Sequence, residues 1–212
     1  MKAEQLRCVD KVADACAGRL NDIRAMLDPE AGDLDIAYVG QWYEVTCNEA
    51  TVTTLTNEHL LKALVESYEP ERWAPLDLLA GVSLGDDGNS DIIDALLERL
   101  FDEYEDDIRE ASREAWYDYG LSFDYVEPGT FGDQDEGYWR YQISWGGPSE
   151  EIRFYASKGH SGWRLHRAEF WYFDWLDGAK LLVTSDETVR AIWDNFEERG
   201  SVEHVFSAAL ER

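Results

Sequence analysis

Residues 138–184 constrain the fold more than any other stretch, because alternation and turn signals follow one another at short intervals. Trp139, Tyr141, Ile143 and Trp145 alternate with Arg140, Gln142 and Ser144, the period-2 pattern of a half-buried strand. Gly146-Gly147-Pro148-Ser149 forms a turn, and Ile152, Phe154 and Ala156 continue as a second strand. Lys158 to Gly162 turns the chain into a third strand, Trp163 to Trp175. Its Phe170-Trp171-Tyr172-Phe173 run is apolar on both faces and predicts a central strand covered on each side. Asp177-Gly178 leads to a fourth strand at Lys180 to Thr184, and two helices, Asp186 to Glu198 and Val202 to Glu211, close the chain.

The remainder reads mainly as helix. Leu6, Val9, Val12, Cys16, Leu20, Ile23 and Leu27 recur at helical spacing from Ala3 to Leu27, and Asp28-Pro29 ends the run. Residues 36–55 are rich in β-formers and predict one or two short strands. Helices are expected from Asn57 to Tyr68 and from Pro75 to Ala80. After the turn Gly85 to Asn89, Ser90 is an N-cap for a helix running to Tyr119, a rod of about 45 Å if unbroken. Residues 120–137, with Pro128 and four glycines, read as a loop. The fold class is therefore α+β: N-terminal and central helices, then a three- to four-stranded antiparallel C-terminal sheet followed by helices. The stretches are 1–85, helical with short strands; 86–137, acidic helix and loop; and 138–212, sheet plus C-terminal helices. One compact domain overall is the alternative.

Charge is where this chain departs from an ordinary globular protein. The net charge is −26. Residues 86–137 carry 18 acids against 3 bases, net −15, whereas 1–85 have net −8 and 138–212 only −3. Adaptation to high salt would spread acids over the whole surface. A local excess repels itself in the folded state and calls for a basic partner. Direct nucleic-acid binding needs a basic footprint and is disfavoured.

On a helical wheel, Ile93, Leu97, Leu100, Tyr104, Ile108, Ala111 and Ala115 line one side of the 90–119 helix. Asp91, Asp94, Glu98, Asp102, Glu105 and Asp106 line the other and are the candidate partner-binding residues. This face is almost single-signed as far as Asp107, so it is expected to lack the i,i+4 ion pairs of an ordinary exposed helix. A solvated face is the usual meaning of a charge run. Against that, acids four apart on a helix lie ~6 Å apart, comparable with phosphates that advance ~3.4 Å each along a DNA strand. The pattern suits a DNA mimic that occupies a basic cleft.

Other chemistry finds little support. Asp133 to Gly137 only partly matches a calcium loop, and His59, His160, His166 and His204 have no zinc spacing. His160-Ser161 lies in a hairpin turn, not a nucleophile elbow. Phosphate-cradling glycine motifs are absent. No metal or cofactor is expected. Cys8, Cys16 and Cys47 form no CxxC pair and read as small buried hydrophobes. No apolar run is long enough to span a bilayer and Met1 to Asp10 lacks a signal-peptide core, so the cytoplasm is the expected location. Residues 138–175 hold 12 aromatics, which could stack bases or sugars but by alternation read mostly as core.

The block Trp145-Gly146-Gly147-Pro148-Ser149-Glu150-Glu151, followed by Glu169 to Ala179 (EFWYFDWLDGA), resembles a family of small acidic proteins carried on plasmids and other mobile elements. The resemblance covers residues 138–212 and brings no catalytic residues. It implies an antirestriction or anti-CRISPR context. The preferred expectation is a non-enzymatic inhibitor of a DNA-binding defence system. An immunity or antitoxin-like protein capping a basic toxin has the same physics. An enzyme acting through the C-terminal sheet would show a deep pocket lined by Glu169, His166 or Arg167.

Overall fold

The computed structural model describes residues 7–39, 42–56, 90–132, 134–160 and 162–211. The helices expected at 57–68 and 75–80 lie outside the described residues, as do the first residues of the N-terminal helix. The fold is α+β and comprises two compact units, Met1–Arg24 with Tyr117–Arg212, and Ala25–Trp116. Helix α1 spans Cys8–Leu27.

In the Ala25–Trp116 unit, a short 3-10 turn (Ala31–Asp33) leads into three strands, β1 (Leu34–Val39), β2 (Trp42–Cys47) and β3 (Ala50–Leu55). They form an antiparallel sheet in the order β1-β2-β3, one strand more than the sequence suggested. The β2–β3 hairpin turns on Asn48 and Glu49, both at positive φ, which is the twist a two-residue hairpin needs. The Asn48 amide donates to Ala25 O at 3.3 Å and to Ser112 Oγ at 3.1 Å, which ties the turn down.

The long central helix is two helices, α2 (Ser90–Glu103) and α3 (Glu105–Tyr119). Tyr104 N–H still donates to Leu100 O at 3.0 Å and Ile108 N–H to Tyr104 O at 2.9 Å, so the break is a kink. The kink makes Glu105, Asp106 and Asp107 a first turn, where acids are favoured, and leaves Asp102 and Glu103 in a last turn, where they are not. The buried seam is Leu96, Leu100, Ile108, Ser112 and Trp116, so Leu96 takes the place expected of Leu97 and the seam runs one residue later beyond the kink. Leu34, Val45, Cys47 and Leu55 complete this core with Leu96, Leu100 and Ile108.

In the other unit, five strands form an antiparallel meander: β4 (Ser122–Val126), β5 (Tyr138–Ser144), β6 (Ser149–Lys158), β7 (Trp163–Asp174) and β8 (Asp177–Leu182). β4 falls in the stretch read as loop. Its pairing of Val126 with Tyr138 and Asp124 with Arg140 supplies what local sequence did not. Helices α4 (Glu187–Glu198) and α5 (Ser201–Leu210) follow, with Asp186 capping α4 through a bond from Val189 N–H.

One face of this sheet is the hydrophobic core. Trp139, Tyr141, Ile152, Phe154, Ala168 and Phe170 are buried there. Trp139 packs against Trp193 and Phe206 from the two helices, and its indole N–H donates to Val202 O at 3.1 Å. The N-terminal helix joins the same unit through Lys11–Asp174 and Arg19–Glu150 ion pairs at 2.9 and 2.8 Å. All three cysteines are free and buried. Burial raises the Cys16 thiol to about 11, the behaviour of a structural cysteine.

Candidate functional site

Two features carry charge in an organised way, one in each unit. The first is the acidic face. Glu98 and Asp102 lie on α2, Glu105 and Asp106 on α3, and all four side chains are exposed. Asp91 and Asp94 fall in the first turns of α2, and their side chains lie outside the described residues. The face is less pure than its sequence suggested. Glu105 pairs with Arg109 at 3.0 Å, and nearby Arg99 reaches Glu103 at 3.9 Å, both i,i+4. The bases sit one turn from the acids, a placement that charge counting had set aside. Glu98, Asp102 and Asp106 have no ion-pair partner among the described residues.

The second feature lies on the five-stranded sheet, where a pocket was expected only under the enzyme reading. On the sheet face away from the helices, Tyr138, Arg140, Glu151, Arg153 and Tyr155 share a side with Arg167, Glu169, Trp171, Phe173 and Lys180. They line a cleft of about 870 Å³. Trp171 and Phe173 therefore do not face a second core, as their apolar run had suggested. They form the cleft floor, stacked at 5.4 Å, and the Arg153 guanidinium lies 4.1 Å from the Trp171 ring and 4.7 Å from that of Tyr138. Arg167 stacks on Tyr155 at 3.7 Å, and Lys180 lies 5.0 Å from Trp171.

Each cation also holds a carboxylate. Arg153 Nε bonds Glu151 at 2.5 Å, Lys180 Nζ bonds Glu169 at 2.8 Å, and Arg167 reaches Glu136 at 2.7 Å. The pairs are not symmetric. The side chains of Glu151 and Glu169 are 6% and 8% exposed, against 16% for Arg153, 37% for Arg167 and 51% for Lys180. Beneath Arg153 and Lys180 the floor hides its anions, whereas Glu136 at the mouth, 45% exposed, is more open than the Arg167 it pairs with. Burial by itself would raise the Glu169 pKa. Hydrogen bonds from Lys180 and Trp171, and the charges of Lys180 and Arg167, reverse this and hold it below the usual value. Burial pushes the hydroxyls of Tyr138 and Tyr155 up.

Local irregularities shape the mouth. A bulge in β7 opposite Tyr155 and Ala156 brings His166 and Arg167 together onto Glu136, with His166 Nε2 at 3.1 Å. The loop carrying Glu136 is held by Gly129 N–H to Gln134 O at 2.7 Å. It approaches β4 so closely at Gly137 that a Cβ would lie 2.0 Å from the Tyr125 hydroxyl. Phe131 from this loop and Trp145 from the β5–β6 turn stand exposed at the edge.

Glu169 and Arg167 line the cleft, and His166 is bonded to Glu136 at its edge. A general acid or base works best with a pKa near neutrality, and here the carboxylate is moved down and the phenols up. Among the described residues no three His, Cys, Asp or Glu side chains gather as a metal site, and no helix is long and apolar enough to cross a membrane. Asp133, first acid of the partial calcium pattern, lies outside the described residues.

The cleft residues left a trace in the sequence. Glu151-x-Arg153-x-Tyr155 and Arg167-x-Glu169-x-Trp171-x-Phe173 alternate with the core residues and place charges and rings together on the face that should be polar. No protein-family model, curated protein or solved structure matches the chain.

Proposed function

We propose that this protein is a non-enzymatic inhibitor of a DNA-binding defence system, of anti-CRISPR or antirestriction type, acting in the cytoplasm as an acidic DNA mimic. The observation that supports the reading best is the row Glu98, Asp102 and Asp106, exposed and without ion-pair partners among the described residues. Carboxylates at four-residue spacing recur every ~6 Å along a helix. A basic channel evolved for phosphates would meet a comparable field, and long-range attraction would steer the encounter. The concentration of charge, net −15 in residues 86–137, supports the same view. The resemblance of residues 138–212 to acidic proteins of mobile elements fits this context.

The test is protection of incoming DNA in a bacterial host that carries a restriction or CRISPR nuclease. Expression of the native chain should raise the survival of an incoming phage or plasmid. The triple reversal E98K/D102K/D106K should reduce that protection more than about tenfold while leaving the thermal transition in place. Full protection by the reversed protein would remove the acidic face from the mechanism. Double-stranded DNA should compete with the protein for its partner; a partner indifferent to DNA would point instead to capping of a basic toxin.

A further inference from the structure

The cleft on the five-stranded sheet carries an inference independent of the acidic face. We propose that it binds a mononucleotide, with the phosphate over the Arg153 and Arg167 guanidinium groups and the base against Trp145.

Four observations converge on this ligand. The volume, about 870 Å³, is that of a small-molecule site. The Arg153 and Lys180 cations are each more exposed than the carboxylates beneath them, and a phosphate over Arg167 would take the place of Glu136, whose exposed carboxylate holds that guanidinium at 2.7 Å. Two buried polar atoms in the lining lack a hydrogen-bond partner, the Tyr138 hydroxyl and Arg167 Nε, the latter 3.6 Å from Glu169. Tyr138 is fully buried. Both groups can donate, so what they lack is an acceptor, and phosphate oxygens supply several. Finally, Trp145 is 77% exposed beside this polar floor, and Phe131 is exposed at the same mouth. An uncovered indole next to an anion subsite calls for a flat ring joined to the anion. A sugar phosphate would leave the indole bare, and a nucleoside would leave the donors unmet. A polyanion would be repelled by a chain of net charge −26, whereas one phosphate group meets little of that opposition.

The experiment is calorimetric titration of the full chain with AMP, GMP, CMP and UMP, and separately with their nucleosides and with inorganic phosphate. At least one nucleotide should bind with Kd below about 100 µM, and its nucleoside and phosphate each at least about tenfold more weakly. Trp145→Ala, on an exposed turn where folding is not at stake, should weaken the nucleotide about tenfold. Tyr138→Phe should weaken it about fivefold, and because it removes an unsatisfied buried hydroxyl its melting temperature should not fall. The proposal is overturned if no nucleotide binds below about 1 mM, if nucleoside or phosphate alone binds as tightly, or if both variants keep native affinity. The triple reversal E98K/D102K/D106K should bind the nucleotide as the native chain does, so failure here and failure of the inhibitor reading remain separate results.

Discussion

The acidic face of α2 and α3 and the cleft on the five-stranded sheet use the same residue types in opposite ways. On the helices, carboxylates stand in solvent, and Glu98, Asp102 and Asp106 have no cation against them among the described residues. In the cleft, Glu151 and Glu169 are buried beneath the arginines and lysine that neutralise them. Counting charges along the chain describes the first region well and misleads about the second. Residues 138–212 have net −3, yet at Arg153 and Lys180 the cleft floor offers the cation, because what a surface presents depends on which partner of each pair is uppermost.

The cleft stands on a packed core, and the largest effect is expected from a residue beneath it. Phe170 is fully buried on the helix-facing side of β7, between the cleft residues Glu169 and Trp171. Phe170→Ala should destabilise the protein by about 3–5 kcal/mol in urea unfolding. Trp145→Ala, at the exposed rim, should stay within about 0.5 kcal/mol of the native chain. Equal effects would mean that the two sides of the sheet are not core and surface.

A smaller effect probes the buried pairs themselves. Lys180→Met removes a hydrogen bond to Glu169 but leaves that of Trp171 at 3.0 Å, so a loss of about 1 kcal/mol is expected. The pH dependence has a definite sign. The Glu169 pKa is lowered from 4.5 in the folded state, so its stabilising contribution is complete above that value and disappears as pH falls through the lower folded value. Urea midpoints between about pH 5 and pH 3 should therefore fall more steeply for the native chain than for Glu169→Gln. Parallel curves would show that Glu169 is not held ionised by its neighbours.

Much of the sheet was legible before any coordinates, and the reason lies in particular residues. Trp139, Tyr141 and Ile143 alternate cleanly, and glycine turns separate the strands on either side, so period and punctuation agree. β4 was missed because Ser122 to Val126 is short and flanked by glycine, proline and acids; only pairing with β5 makes it a strand. The aromatic floor of the cleft was missed for a different cause. Trp171 and Phe173 are apolar, and an apolar residue on the polar side of a strand is read as a second core until the layer that should cover it is known. The kink at Tyr104 has no proline or glycine to announce it, and beyond it the buried seam runs through Ser112 and Trp116 instead of Ala111 and Ala115. The acidic face itself was plain in composition, but the pairing of Glu105 with Arg109 needed coordinates.

The smallest expected effect is also the sharpest discriminator between the two regions, because it should have the opposite sign. Asp102 lies in the last turn of α2, exposed, where a negative charge opposes the helix dipole and repels its acidic neighbours. Asp102→Lys should therefore stabilise the free protein by about 0.5 kcal/mol at low salt. The gain should shrink as salt is added, since exposed charges are screened within about 10 Å at 0.1 M. In the cleft, removing a charge should weaken the fold; on the helix, reversing one should strengthen it. A carboxylate that opposes folding does nothing for the fold, and binding a basic partner is the use proposed for it. If Asp102→Lys instead destabilises the chain, the carboxylate is supporting the fold, and the acidic face would belong with the buried pairs of the cleft, not apart from them.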